Sequence, residues 1–530
     1  MGKVAKMKRS LFSIAGIVAI ATTISKFFGL LRATIIAAVF GVGVVADAYN
    51  YAYIIPGFLL VILGGINGPL HSALVSVLAK RARDDVAPLV ETITTIIGTI
   101  LIVVTVGLML GAGLVIDIIA PGLQPQIREI TILQLQIMAP IALLSGLIGI
   151  GFGTLNVAQH YWLPSVSPMF SSLAVILGLG WFALQLGNKI NSPEYWHLGA
   201  WILALGTLAG AMWQWLMQLI VQWRQGMGTL HISFNWNLPG VKEALALMLP
   251  ATISTGMTQI NIYIDLFFAS YIPHAAAGLN YGGLIAQTPK GIITSAILIP
   301  YMSLFSQLSA TEKWADLKQK IRQSLILTAL TMLPLGALLA ALALPITKIV
   351  YERQAFDEEA SQLVASILVA YGLGAFTSVG VGVLVRVFYA LEDGKTPLKI
   401  SLVNILLNII LDYFLVNRFG APGLVLASMG VNVTAMLMML WCLHRRLNGL
   451  ALREWGLLIL KLIGASGLAG FITWGFVKVW EGFLSSQGLG WQLLEVSIAS
   501  CMVLGIFAVL ASLLRLPEVD LLVRRLKRKS

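Results

Sequence analysis

Apolar stretches of about 20 residues, the length a helix needs to cross a bilayer core about 30 Å thick, recur from one end of this chain to the other. Fourteen can be marked between short polar or Gly/Pro-bearing breaks. They begin near Leu11, Ala48, Val90, Ile130, Pro164, His197, Val241, Asn280, Ile321, Ser361, Leu398, Ala421, Gly456 and Trp491. Composition agrees: 58% of the 530 residues are hydrophobic and 11% charged, with a mean hydropathy of +0.88. Soluble globular chains do not look like this. The expectation is an all-α polytopic membrane protein with about 14 transmembrane helices.

Basic residues set the expected orientation, because cytoplasmic loops hold Lys and Arg that translocate poorly. Of 35 such residues, 24 fall in alternate connections starting with MGKVAKMKRS, and six (Arg128, Lys189, Lys348, Arg353, Arg418 and Lys478) in the opposite set. Both termini are therefore expected in the cytoplasm. The net charge of +12 is then loop charge facing one side of a membrane, not a nucleic-acid surface. The basic start and Ala19-Ile20-Ala21 imitate a signal peptide, but apolar character runs on to Val45, so an uncleaved first span is expected.

Little in the chain suggests catalysis. Cys442 and Cys501 lie within spans and offer no disulfide framework, and the six histidines include no His-Glu-x-x-His pattern. Gly394-Lys395-Thr396 imitates a phosphate loop, yet Tyr389 stands where such a loop needs glycine. An enzyme acting on polyprenyl phosphates would want clustered loop carboxylates. Asp84-Asp85 and Asp357-Glu358-Glu359 are the only candidates, and they read as solvated charge. The expectation is a transporter, with no cofactor beyond a coupling ion.

The chain also repeats itself. TTIS at Thr22–Ser25 aligns with ATIS at Ala251–Ser254, Asn50-Tyr51 with Asn280-Tyr281, and Leu74, Ser76 and Leu78 with Leu304, Ser306 and Leu308. NVAQHYWLP ending at Pro164 matches YALEDGKTP ending at Pro397, so the offset stays between 229 and 233. The domains read as an N-lobe of six helices (1–230), a C-lobe of six (231–450), and a C-terminal helix pair with a basic tail (451–530). An offset spanning an even number of helices gives the lobes one orientation and a pseudo-two-fold axis along the membrane normal. Transporters so built hold cargo between their halves.

Two constellations mark candidate sites. In KFFGLLRATIIAAVFG, Lys26 lies roughly 22 Å along the first helix and Arg32 about 31 Å, at about 1.5 Å per residue. Lys290, after Pro289, is again near mid-depth. A cation at the bilayer centre costs about 2.5 to 3.5 kcal/mol even on the gentler insertion scale. Such residues imply a water-lined cavity and an anionic substrate; the alternative is internal pairing with helix-end carbonyls or with Asp47. The second constellation is acidic. Asp265 interrupts NIYIDLFFAS, while Asn404, Asn408 and Asp412 at spacing four share one helix face. With Thr434 they would make an all-oxygen site suited to Na⁺; the alternative is protonated carboxylates hydrogen-bonded within the bundle. The second span is too long to cross straight, and Pro56-Gly57, Gly64-Gly65 and Gly68-Pro69 are its expected bends.

The run GLLRATIIAAVFGVGVVADAYNYAYIIP resembles the first-to-second helix signature of the MurJ (MviN) lipid II flippases, within the multidrug/oligosaccharidyl-lipid/polysaccharide exporter superfamily. FYALEDGKTPLKI is similar to that family's junction between helices ten and eleven. The resemblance covers essentially the whole chain. It implies alternating-access export of lipid II, the undecaprenyl-pyrophosphate-linked peptidoglycan precursor, across a bacterial plasma (inner) membrane, with the last two helices forming a groove for the lipid tail. Membrane lipids and cell-wall synthesis proteins are the further implied partners. Lys26 and Arg32 would occupy the family's cationic positions in helix one and Asp47 its acidic position at the entrance to helix two, with Asp265, Asn408, Asp412 and Thr434 at its sodium site. The chain departs from the pattern where the family carries an Arg pair and Glu-Gly-Ala in helix two: Leu60-Val61 and Gly64-Gly65-Ile66 stand there. Leu284 replaces the central arginine of helix eight, Ala33 replaces the usual acid after the helix-one arginine, and Lys290 is the cation left to substitute. Rival readings are a flippase for another polyprenyl-linked glycan, a cation-coupled small-molecule antiporter, and a membrane scaffold or enzyme of envelope synthesis.

Overall fold

Hydrocarbon offers backbone N–H and C=O groups no partners, so the chain satisfies them within helices. The computed structural model describes residues 2–65, 68–257, 259–484 and 488–514; the basic tail from Arg515 lies outside them. Contacts divide the chain into two compact units, Met1–Ala277 with Arg353–Phe356, and Gly278–Glu352 with Asp357–Ser530. The first carries α1 (Gly2–Phe40), α2 (Val44–Ala52), α3 (Ile54–Ile62), α4 (Pro69–Leu78), α5 (Arg83–Leu110), α6 (Ala112–Ile119), α7 (Pro125–Met138), α8 (Ile141–Val157), α9 (Trp162–Val166), α10 (Pro168–Leu186), α11 (Trp196–Arg224), α12 (Val241–Met257) and α13 (Ile260–Ala269). The second carries α14 (Ala275–Gln307), which starts within the first unit, then α15 (Trp314–Ala341), α16 (Ala343–Tyr351), α17 (Glu358–Ala390), α18 (Lys395–Phe419), α19 (Ala421–Arg446), α20 (Leu452–Leu484) and α21 (Leu489–Leu513).

Among the described residues, ten helices are long and apolar enough to cross a membrane, and the bent pairs α2–α3 and α7–α8 bring the number to twelve. The two remaining expected spans fall on α12 with α13 and on α14. α12 belongs to the first unit because Val241 and Ala244 are buried in the same cluster as Leu74 and Val77 of α4.

The internal repeat is visible in the backbone. α5 and α15 begin at Arg83 and Trp314 and end at Leu110 and Ala341, an offset of 231 at both ends. α7–α8 spans 125–157 and α17 spans 358–390, an offset of 233 at both ends. The turns follow: Gln159 and Glu392 both take left-handed φ (62° and 57°). Their successors close matching caps, His160 N to Leu155 O and Asp393 N to Phe388 O. Gly187 (φ 54°, ψ −139°) and Gly420 (φ 63°, ψ −140°) end α10 and α18 in one conformation that a side chain would strain.

Departures from the repeat have local causes. α7 and α8 meet at 41° whereas α17 runs unbroken, because Pro140 interrupts the first half where the second has Leu373. The second span breaks at Tyr53, by 43°, not at Pro56-Gly57 as expected. Proline lacks the N–H that would bond to the carbonyl four residues back and its ring crowds that carbonyl, so the effect of Pro56 falls one turn upstream. In the second unit α15 and α17 cross so closely that a methyl on Gly336 or on Gly372 would overlap the other glycine's carbonyl.

The turn before α18 is fixed by Asp393. Its Oδ1 accepts from Thr396 N (3.0 Å), while its Oδ2 accepts from Thr396 Oγ1 (2.7 Å) and from an Arg446 amine (2.6 Å); the other Arg446 amine donates to Leu391 O. Burial opposes ionisation of this carboxyl, but the Thr396 bonds and the Arg446 charge outweigh it and hold Asp393 below the usual carboxylate range. The folded state therefore gains stability from ionised Asp393 above its unfolded pKa of about 3.9 and loses it as pH falls through the lower folded value. Asp393→Asn is expected to cost about 1–3 kcal/mol. In thermal unfolding of the purified protein, the gap between parent and variant should stay constant from neutral pH to about 5 and close below about 4; a gap that persists in acid would remove the charge from this account.

Candidate functional site

The candidate site is built on α1, whose membrane-length portion is Gly16–Phe40. Lys26 lies ten residues from Gly16, roughly 15 Å along the helix. Its side chain is exposed. Arg32, two turns before the end of α1, is half-buried, and its Nε is buried without a hydrogen-bond partner. Its charge acts on the Tyr53 hydroxyl, which stacks on Tyr49 (5.6 Å between centroids). Tyr49 is anchored in turn by a 3.0 Å bond between its hydroxyl and that of Thr207. Among the described residues no carboxylate lies within ion-pair distance of Lys26 or Arg32. An unmatched guanidinium donor inside a protein suits an anion.

Asp47 is placed differently. The chain turns at Gly41 (φ 58°), where a side chain would strike the Ala355 carbonyl, and α2 begins three residues on. Asp47, in the first turn of α2, is 1% exposed. Its Oδ1 accepts from Ala277 N at 3.0 Å, one of the amides that α14 cannot satisfy internally. His274, in a left-handed turn just before α14, directs Nδ1 to Val42 O at 2.6 Å; a carbonyl only accepts, so the proton sits on Nδ1. The α1–α2 turn and the start of α14 are thus laced together, with Asp47 as the acceptor.

In the second unit Lys290 of α14 is half-buried and donates to Ser378 Oγ on α17 at 3.1 Å. A hydroxyl brings no opposite charge to an ammonium. Arg386 donates to Gly382 O on its own helix. The oxygen-rich face of α18 is as expected: Asn404 is 6% exposed and Asn408 and Asp412 are fully buried. Asn408 Nδ2 donates to Asp412 Oδ2 at 2.6 Å, and Asn404 Oδ1 is buried without a donor. Thr434 on α19 donates to Gly430 O, which leaves its lone pairs free to accept. Asp265 is half-buried on α13, within the first unit. Among the described residues no three His, Cys, Asp or Glu side chains cluster; what α18 itself brings together is the Asn408 amide and the Asp412 carboxylate, whose oxygens are the kind of donor a hard cation takes.

The second unit also holds a cavity of about 900 Å³ with an almost wholly apolar wall, including Met436, Trp441, Trp455, Phe471 and Trp474. It lies among α15, α17, α19 and α20. The resemblance implied a groove formed by the last two helices; of that pair α20 lines the cavity, while α21 packs through Ala499 on Leu342 and Val477. Sequence reasoning missed Ser378, His274 and Thr207 because an isolated polar residue in an apolar helix or turn carries no periodic signal.

The family model described as lipid II flippase MurJ matches residues 36–490. A probable lipid II flippase MurJ from Synechocystis sp. is 55% identical over 524 residues, covering 99% of this chain and 98% of that protein. The lipid II flippase MurJ of Burkholderia cenocepacia is 28% identical over 499 residues, covering 89% of this chain and 91% of that one. A solved lipid II flippase MurJ in an inward closed conformation shares the fold with a TM-score of 0.73 at 21% identity, over 93% of this chain and 97% of its own. An inward-facing multidrug resistance MATE family transporter of the MOP superfamily shares it more loosely (TM-score 0.55, 15% identity, 80% and 94% covered). On these matches the chain, a multi-pass membrane protein, belongs to the MurJ lipid II flippase family.

Proposed function

We propose that this chain is a transporter that flips lipid II, the undecaprenyl-pyrophosphate-linked peptidoglycan precursor, across the bacterial inner membrane with both termini in the cytoplasm. The observation that carries the reading is the 55% identity to a probable lipid II flippase along 99% of the chain; the local chemistry supports it. Pyrophosphate needs fixed cations at membrane depth. Lys26 and Arg32 on α1 and Lys290 on α14 supply them, and the buried, unpartnered Arg32 Nε leaves a donor for a phosphate oxygen. The apolar cavity beside α20 suits a polyprenyl tail, which must leave the lipid phase at no cost in hydrophobic burial. Asp47, closed over by the start of α14, acts as a positioning residue for this end of α1 and α2.

Rescue of cells depleted of their own lipid II flippase tests the reading. The parent chain is expected to rescue, and Lys26→Glu or Arg32→Glu to abolish rescue at normal expression. A charge reversal there places a carboxylate beside pyrophosphate, and like charges at close range repel. Rescue by both reversed variants at the level of the parent would discredit the cationic route.

Sodium is the proposed coupling ion. Asn408, Asp412 and Thr434 would hold it, and the buried Asn404 Oδ1 fits a donor set that expects a cation. Bound there, the ion would neutralise a carboxylate that is costly to bury alone. Purified parent protein is expected to unfold at higher temperature in sodium than in potassium at equal ionic strength, with Asp412→Asn losing most of the difference. Absence of a sodium effect in the parent would eliminate the site.

A further inference from the structure

The connection between α11 and α12 does something that neither its helices nor the transport reading calls for. Its ends are docked: Met227 and Leu238 pack on the cluster of α4 and α5 residues that forms the local core. Between them the chain forms no helix and is hydrogen-bonded to the side of α5. Thr229 N and Oγ1 both donate to Glu91 Oε1 (2.9 and 2.7 Å), Ser233 N donates to Thr95 Oγ1 (3.0 Å), and Ser233 Oγ pairs with Thr92 Oγ1 (3.0 Å). The odd positions Thr229, His231, Ser233 and Asn235 are polar, and Leu230, Ile232, Phe234 and Trp236 are apolar. Those four are exposed by 54%, 74%, 56% and 49%.

The depth of α5 says what covers them. Its 28 residues extend about 42 Å, some 12 Å more than a hydrocarbon core about 30 Å thick. Its last residues are apolar and Leu110 is exposed, while the sequence Arg83-Asp84-Asp85 opens the helix, so the surplus falls at the N-terminal end. Eight residues, about 12 Å, separate Arg83 from Glu91, which puts Glu91 at the boundary of the core and Thr95 just inside it. The pinned segment occupies that same level. Exposed Trp223 and Arg224 end α11 beside it, the residue pair that bilayer interfaces favour. Exposed apolar side chains also occur farther along α5 (Ile100, Val103) and α11 (Leu216, Ile220). Backbone that is not helical is tolerated in a lipid-facing position only where its polar groups find partners, and Glu91 and Thr95 supply two of them.

We propose that Leu230–Trp236 is an interfacial anchor, a non-helical strip pinned to α5 whose four apolar side chains insert at the headgroup–acyl boundary of the leaflet at that end of α5. Its partner is the lipid surface itself, and the polar edge with Glu91 fixes its depth. The test uses full-length protein with Cys442 and Cys501 replaced by alanine. A nitroxide is placed singly at Ile232→Cys, Phe234→Cys, His231→Cys or Asn235→Cys, and the protein is reconstituted into phosphatidylethanolamine/phosphatidylglycerol vesicles. Collision rates are measured with oxygen, which partitions into acyl chains, and with a nickel chelate, which stays in water. At 232 and 234 oxygen should exceed nickel several-fold, with the order reversed at 231 and 235. Nickel equal to or above oxygen at 232 and 234 overturns the proposal, since only lipid is present to cover the strip and an aqueous loop or a face awaiting a protein partner would read that way. Adding Glu91→Gln to the Phe234→Cys protein should raise its nickel collision rate severalfold; an unchanged rate shows that Glu91 does not set the depth.

Discussion

Every backbone amide carried into hydrocarbon must arrive with a partner, and the rest of this structure depends on how that demand is met where helices stop. Within helices the answer is automatic. At breaks it has to be built, and the breaks are where the informative side chains sit. Asp47 supplies an acceptor to an amide at the start of α14, and Asp393 does the same ahead of α18. Glu91 supplies the amide of Thr229. Three of the chain's 23 acidic residues thus serve as helix or loop fasteners. Arg32 is the reverse case, a charged donor in the interior that the chain leaves unmatched at Nε. A buried guanidinium donor left open suits an anion that arrives to fill it.

The spans were legible because an apolar run has one physical meaning in a chain of this composition, and because loop residues interrupt it sharply. The repeat was legible through short polar matches such as those ending at Pro164 and Pro397. The backbone then extends it to helix ends and left-handed turns that share no residue type: Gln159 with Glu392 carries the turn as well as Gly187 with Gly420 does. Side-chain identity at such turns is permissive, so alignment by letters understates the repeat. The bend at Tyr53 was misplaced for a different reason. Pro56 marks itself in the sequence but acts on a carbonyl four residues earlier.

The site was legible only in part. Charge in an apolar helix announces itself, so Lys26, Arg32, Lys290 and Asp412 could be singled out. Their partners could not, since Ser378, His274 and Ala277 are fixed by packing between elements remote in sequence. The strip from Leu230 to Trp236 did carry a period-two signal, but among fourteen apolar spans an alternating heptapeptide reads as a loop until its exposure is known.

The two halves share a frame and differ in what they hang on it. At the offset of 233 that relates α10 to α18, Asn404, Asn408 and Asp412 fall opposite Ser171, Val175 and Leu179. The oxygen-rich face therefore belongs to one half and is no consequence of the architecture. The first half has Pro140 and a bend where the second has Leu373 and a straight helix. A symmetric pair of bundles would respond alike to whatever binds. Here one half bends where the other is straight, and of the matched pair α10 and α18 only α18 buries a carboxylate, so an ion at Asp412 would act on a helix whose counterpart has no group to feel it. Such asymmetry is what a carrier needs if cargo and ion are to bias its states in different senses, because a ligand shifts a conformational equilibrium only by its differential affinity for the two states.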